Sequence, residues 1–261
     1  MTILITGATD GLGRALAERF AADGQSLILH GRDAGKLAAT AASLTGADVR
    51  TVVADLGELA QVRRLAAAVR DSTDRLDVLV SNAGIGSGEP DGRERGTSAD
   101  GHELRFAVNY LAGFLLTLEL LPLTHRVVNV ASLGQHPIDF DDLMIERGYS
   151  GSRAYGQSKL AQIMSGFELA GRVPGITVNS VHPGTYMPTK IVLREIGHTV
   201  DSLETGVESV RGLAVGEAGA TSGRFFDRTR ETTANAQAYD ADARRELWRR
   251  SLELVGHPGT D

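Results

Sequence analysis

Thr6-Gly7-Ala8-Thr9-Asp10-Gly11-Leu12-Gly13 follows the apolar run Ile3-Leu4-Ile5 and leads into Leu12, Ala15, Leu16 and Phe20 at helical spacing. The pattern predicts a strand, a glycine turn and a helix. Such a turn aims backbone N–H groups and the positive end of a helix at one point, and its glycines let a phosphate approach closely. It is a candidate site for a dinucleotide or another phosphate ligand, built from Gly7, Thr9, Asp10, Gly11, Leu12 and Gly13. The spacing G-x-x-x-G-x-G differs from the G-x-G-x-x-G fingerprint. On these residues alone, a strand-to-helix turn that binds nothing stays open.

Outward from the turn, short apolar runs alternate with longer amphipathic segments. Strands are expected at 26–30, 49–54, 76–80, 126–130, 176–181 and 224–227, and helices over 36–44, 59–69, 103–121, 154–170 and 241–255. The Gly-, Ser- and charge-rich stretch 84–101 reads as an exposed loop. This alternation predicts a single α/β domain over 1–261, a doubly wound parallel sheet with ligands beyond the carboxyl ends of its strands. The apolar residues scattered through 185–216 suit a lid over a hydrophobic substrate.

With 261 residues, 42% of them hydrophobic, the chain can bury a large core without being divided. A net charge of −6 and scattered Lys and Arg argue against nucleic acid as a partner. The lack of cysteine removes disulfides, thiol catalysis and thiolate metal sites. The first strand begins almost at Met1 and no apolar run approaches membrane-spanning length. The expectation is a soluble, cytoplasmic protein with no signal peptide and no membrane contact. His102-Glu103 lacks the second histidine of a zinc helix, and 31–36 has the wrong spacing for a P-loop. There is no G-x-S-x-G nucleophile elbow. Metal and hydrolase chemistry are therefore not expected.

Tyr155-Gly156-Gln157-Ser158-Lys159 is a second constellation. Residues four apart share a helix face, so phenol and ammonium can enter one cleft, and a nearby cation favours the phenolate. Tyr-x-x-x-Lys also occurs on ordinary helices. Ser132, after Val127-Val128-Asn129-Val130, stands where its hydroxyl can donate to a substrate oxygen, or where it can simply cap a strand end or helix.

Together these residues resemble the short-chain dehydrogenase/reductase family. The matching positions are Thr6-Gly7-x-x-x-Gly11-x-Gly13, Asp55, Asn82-Ala83-Gly84, Asn109, Ser132, Tyr155-x-x-x-Lys159 and Pro183-Gly184, in the family's order. The resemblance implies a Rossmann-type fold and reversible alcohol oxidation or carbonyl reduction with a nicotinamide dinucleotide. By it, Tyr155 is the general acid or base, and Ser132 orients the substrate oxygen. Lys159 holds the nicotinamide ribose and lowers the tyrosine pKa, and Asn109 supports a water-linked proton relay. Asp55 with Leu56, Asn82, Ala83, Gly84, Pro183 and Gly184 are implied cofactor contacts, and homodimers or homotetramers are implied. Ser98-Ala99-Asp100-Gly101-His102-Glu103 and the long spacer between Ser132 and Tyr155 are similar to the retinol-dehydrogenase-like and WW-domain-oxidoreductase-like group.

At the end of the second strand, His30-Gly31-Arg32-Asp33 offers Arg32 to a 2′-phosphate and no carboxylate at the strand end itself, which favours NADP(H). Asp33 and Asp10 keep NAD(H) possible. The reading is an NAD(P)-dependent oxidoreductase for a small hydrophobic carbonyl or hydroxyl compound. The alternatives are a non-catalytic NADP-binding sensor or scaffold, and epimerase or dehydratase chemistry on the same cofactor.

Overall fold

The computed structural model describes residues 1–88 and 91–259. Strand β1 (Thr2–Ile5) turns through the glycines into α1 (Gly11–Ala22), then β2 (Ser26–Gly31), α2 (Ala34–Ser43), β3 (Val49–Val53), α3 (Leu59–Ser72) and β4 (Leu76–Ser81). A short α4 (Leu104–Phe106) passes through a π turn (Ala107–Leu111) into α5 (Ala112–Leu120). β5 (Thr124–Val130), α6 (Gly151–Arg172) and β6 (Thr177–His182) follow. The chain ends with α7 (Lys190–Glu195), α8 (Leu203–Ala214), β7 (Arg224–Asp227), β8 (Arg230–Thr232) and α9 (Ala241–Val255).

The strands form one sheet in the order β3-β2-β1-β4-β5-β6-β7-β8, parallel except for β8, which runs antiparallel to β7. Successive side chains on a strand point to opposite faces, and both faces here are apolar. Leu4, Leu79, Val127, Val178 and Phe225 face a core shared with α3, α5, α6 and α9. Ile3, Ile5, Val78, Val80, Val128 and Phe226 face a second core shared with α1, α2 and α8. The strand order reverses between β1 and β4, and a crevice opens there at the carboxyl ends.

Several expected elements differ in detail. The helix expected over 103–121 is interrupted by the π turn, in which the Ala112 N–H reaches back to the Ala107 carbonyl. The unbroken apolar run there carries no signal for that extra residue. Edge strand β8 was not anticipated, because an exposed three-residue strand has no apolar run to announce it. Residues 185–216 carry two helices, α7 and α8, each capped at its N-terminus by a hydroxyl, Thr189 and Ser202 respectively. Glu89 and Pro90, inside the loop expected over 84–101, lie outside the described residues. What is described of that loop is held from behind by buried Arg105, which donates to Gly86 O at 2.7 Å, Ser87 O at 2.8 Å and Tyr149 Oη at 2.5 Å. Glu103, also buried, accepts from Tyr149 Oη and caps the Phe106 N–H. Among the described residues, no helix is long and apolar enough to cross a membrane.

Leu65 on α3 is fully buried in the first core. Leu65→Ala should lower the unfolding free energy, measured by urea denaturation, by about 2 to 5 kcal/mol. A loss well below about 1 kcal/mol would contradict that packing.

Candidate active site at the carboxyl ends of the strands

The glycine turn is shaped by what cannot fit. Gly7 and Gly11 have φ of 68° and 49°, the left-handed region that favours glycine. A Cβ on Gly13 would overlap the Gly7 carbonyl oxygen and lie 2.6 Å from Asn82 Nδ2. The Thr6 hydroxyl accepts the N–H groups of Asn82 at 2.9 Å and Ala83 at 3.0 Å, and Asn82 Nδ2 donates to Thr6 O at 2.8 Å. The ends of β1 and β4 are thus stitched together under the turn.

His30 supports the turn from β2. Gly7 N–H donates to its Nδ1 at 3.3 Å, and its Nε2 lies 3.0 Å from the Ala54 carbonyl, a pair of contacts that assigns the ring proton to Nε2. Burial holds the His30 pKa below its ordinary 6.5, partly opposed by the Ala54 contact and the Asp55 charge.

Above these residues is a cleft of about 1600 Å³, counted with its solvent-open mouth. Gly7, Thr9, Asp10, Gly11, Leu12, Gly13, Arg32, Asp55, Leu56, Asn82, Ala83 and Gly84 all line it. Pro183 and Gly184 are not among its lining residues. They are buried at the turn out of β6, where Pro183 O accepts the Ser209 hydroxyl at 3.1 Å.

Three aspartates have settled roles. Asp33 caps α2 by accepting the Lys36 N–H at 2.9 Å, which holds its carboxyl below the usual range. Asp55 Oδ1 accepts the Gly57 N–H at 2.8 Å in a local turn. Asp10 caps α1 through the Gly11 N–H at 2.8 Å and forms an ion pair with Lys190 of α7. Burial alone would raise the Asp10 carboxyl, but the Lys190 and Gly11 contacts outweigh it and lower the pKa.

Beside the cleft, α6 carries Tyr155 and Lys159 one turn apart. The Ser132 hydroxyl accepts the Gly134 N–H at 3.0 Å and is near enough to the Tyr155 phenol to act on its pKa. Burial raises the Tyr155 pKa above its ordinary 10, the Ser132 hydrogen bond opposes this, and the charge of Glu195 adds to it. Lys159 is buried, and its Nζ donates to Val130 O at 2.8 Å and Gln162 Oε1 at 3.1 Å, which places it 5.8 Å from the Tyr155 ring centroid. Burial lowers the pKa of the Lys159 ammonium itself to about 8. Asn109 lies in the π turn with its side chain spent on Ile85 N–H at 2.8 Å, Ile85 O at 3.1 Å and the Ser158 hydroxyl at 3.0 Å. Its side-chain amide is therefore a brace between the loop after β4 and α6.

Residues of the 185–216 segment also reach this site. Thr189, Lys190, Ile191 and Arg194 line the cleft together with Lys36 and His30. The four-residue spacing of Lys190 and Arg194 was legible as one helix face. Nothing in the sequence said that this face would be folded back over the glycine turn.

A parallel sheet with a glycine cradle at its switch point and a Tyr–Lys pair beside a strand-end serine defines a Rossmann-type dinucleotide-binding fold. The short chain dehydrogenase family profile matches residues 1–196. "Retinol dehydrogenase 13" of Homo sapiens is 34% identical over 290 residues, covering 98% of this chain and 84% of its own length. A protein of Streptomyces sp. (strain C5), provisionally named daunorubicin C-13 ketoreductase DnrU, is 36% identical over 273 residues, covering 98% and 92%. The Pseudomonas aeruginosa RhlG/NADP active-site complex superposes with a TM-score of 0.69 at 28% identity, over 87% of this chain and 93% of that one. The chain belongs to the short-chain dehydrogenase/reductase family of oxidoreductases.

Because the folded protein resists protonating His30, the unfolded chain takes up more protons below pH 6.5. The thermal midpoint should therefore fall as pH drops from 6.5 through the lowered folded pKa, with no contribution from this group above that window. His30→Gln should flatten this slope; an unchanged slope would rule out buried neutral His30 as its source.

Proposed function

We propose that the protein is an NADPH-dependent reductase of ketones or aldehydes, running in reverse as an alcohol dehydrogenase, for a small hydrophobic substrate. The observation that carries this reading is the α6 pair Tyr155 and Lys159, with Lys159 Nζ 5.8 Å from the Tyr155 ring centroid and 3.6 Å from where a Cβ on Gly84 would lie, beside a cleft that begins at the glycine cradle.

The residues present fit a dinucleotide. The glycines leave no Cβ between the turn and the cleft, and the N–H groups of a helix's first turn have no intrahelical acceptors. Gly7, Thr9, Gly11, Leu12 and Gly13 hold the pyrophosphate, Asp55 and Leu56 border the adenine, and Lys159 holds the nicotinamide ribose. Asn82, Ala83 and Gly84 wall the cleft from the β4 side. Arg32, with Lys36 beside it, takes the 2′-phosphate. Asp33 competes little, because its carboxylate is committed to capping α2. Bound there, a nicotinamide dinucleotide supplies the hydride for the carbonyl carbon.

Ser132 donates to the carbonyl oxygen and aligns it with the phenol. Tyr155 delivers the proton to that oxygen. The elevated pKa keeps the phenol protonated at neutral pH, which suits the reductive direction. When Lys159 turns from Val130 and Gln162 toward the ribose, its charge comes closer to the phenol and eases proton release. Asn109 braces the loop and α6 while the π turn supports the relay that reprotonates Tyr155. Residues 185–216 serve as the lid, where Tyr186, Leu193, Ile196 and Val200 are exposed apolar side chains suited to a hydrophobic substrate. The intact Ser132, Tyr155, Lys159 and Asn109 set weighs against a sensor that binds cofactor without turnover.

Tyr155→Phe should reduce kcat by at least about a hundredfold while NADPH titration by fluorescence stays at the wild-type level. Wild-type turnover in this variant would refute the proton-transfer role. Arg32→Ala should weaken NADPH by about 1 to 3 kcal/mol and spare NADH; equal losses for both would refute the 2′-phosphate contact.

A further inference from the structure

Helix α7 rests directly on the glycine turn. A Cβ on Gly11 would lie 3.1 Å from Thr189 Cγ2, so glycine at this position leaves room for the start of α7 as well as for the left-handed backbone. The Thr189 hydroxyl caps α7 by accepting the Val192 N–H, and Lys190, the first residue of the helix, lines the cleft. There Lys190 Nζ meets Asp10 Oδ2, while Asp10 Oδ1 accepts the Gly11 N–H at 2.8 Å. An anion supplied by the chain itself thus sits between an N–H of the first turn of α1 and an ammonium from α7. A phosphate is bound by the same two kinds of donor.

The pair is loosely held. The Lys190 and Asp10 side chains are 61% and 47% exposed, and an ion pair so open to water contributes little to stability. Lys190 carries a compact charge on a flexible stem and can change partner. Asp10 keeps its role as the cap of α1 when Lys190 leaves, because the Gly11 N–H is bonded through the other carboxylate oxygen. An uncompensated Asp10 beside a bound phosphate would repel it, whereas an ammonium turned to that phosphate attracts it.

We propose that Lys190 is a cofactor-binding residue, which exchanges the Asp10 carboxylate for a phosphate of the dinucleotide, so that α7 as well as the glycine turn holds the cofactor. This rests on the dinucleotide reading above. Asp10 is the resting partner of the ammonium in the empty cleft, and the cofactor phosphate takes its place. The pyrophosphate is common to NADH and NADPH, whereas the 2′-phosphate belongs to NADPH alone, so the two dinucleotides tell which phosphate the ammonium takes.

The test titrates NADPH and NADH by fluorescence into the wild type, Lys190→Gln, Asp10→Asn and the double variant Asp10→Asn/Lys190→Gln. Asparagine caps a helix as well as aspartate does, so Asp10→Asn removes the charge and keeps α1. The deciding comparison is the double variant against Asp10→Asn, since both lack the Asp10 charge and they differ only in the ammonium. The double variant should bind more weakly than Asp10→Asn by about threefold or more. A loss with both dinucleotides identifies the pyrophosphate as the group bound, and a loss with NADPH alone identifies the 2′-phosphate. A smaller difference overturns the proposal, because Lys190 then does no more than offset Asp10. Oxidation of NADPH by a hydrophobic ketone is followed in the same samples. Weaker binding in the double variant, with no oxidation by the wild type, upholds Lys190 and refutes the reductase reading. Oxidation by the wild type with equal binding in the two variants refutes Lys190 and leaves the reductase reading standing. Failure of the wild type to bind either dinucleotide overturns both.

Discussion

Residue 13 has room for a hydrogen and nothing larger, since a methyl there would run into the Gly7 carbonyl and the Asn82 amide. The rest of the cleft's glycine-turn end depends on that close approach. It brings the first turn of α1 directly over the end of β1, while Thr6 ties the same turn to the N–H groups of Asn82 and Ala83 at the end of β4. His30 closes the third side by accepting the Gly7 N–H. The crevice at the switch point is therefore a rigid, hydrogen-bonded rim, with its residues committed to shape before any ligand arrives.

The chemical end is built on a different economy. Lys159 is kept out of water and Tyr155 is half-buried, neither with a carboxylate partner among the described residues, and burial pushes both pKa values toward their neutral forms. A buried amine with two neutral acceptors is a poor stabiliser of a fold, and such arrangements concentrate where chemistry is done. Helix α7 repeats the theme on a smaller scale. Lys190 reaches back to Asp10 in the glycine turn, while Glu195, one turn and a residue further on, reaches toward the loop after β4. One short helix thus touches both the glycine turn and the loop after β4.

Much of this was legible in the chain. The glycine spacing and the alternating apolar runs sufficed for the doubly wound sheet and for the glycine turn, because those features follow from short-range geometry, whereas Asp55, Leu56 and Asn82 to Gly84 were singled out only by the family resemblance. What escaped was set by contacts distant in sequence. The π turn at 107–111 hides in a run that is apolar all round, and β8 is too short and exposed to have a pattern. The aim of Lys159 at Val130 and Gln162, and of Glu195 at Ser87, depends on packing between elements. Helical spacing correctly put Tyr155 and Lys159 on one face, but it could not say which acceptor the ammonium would choose. Asp10 and Asp33 illustrate the same limit: in the sequence both kept NAD(H) possible, and only the folded backbone shows each of them capping a helix through the N–H groups of Gly11 and Lys36.

The most direct measurement is isotope transfer. The protein is incubated with a hydrophobic ketone and NADPH carrying deuterium on either face of nicotinamide C4, and the product is analysed by mass spectrometry. The account predicts an alcohol with a single deuterium on the former carbonyl carbon, from one of the two labelled cofactors and not the other. Product that carries no label from either cofactor would contradict it.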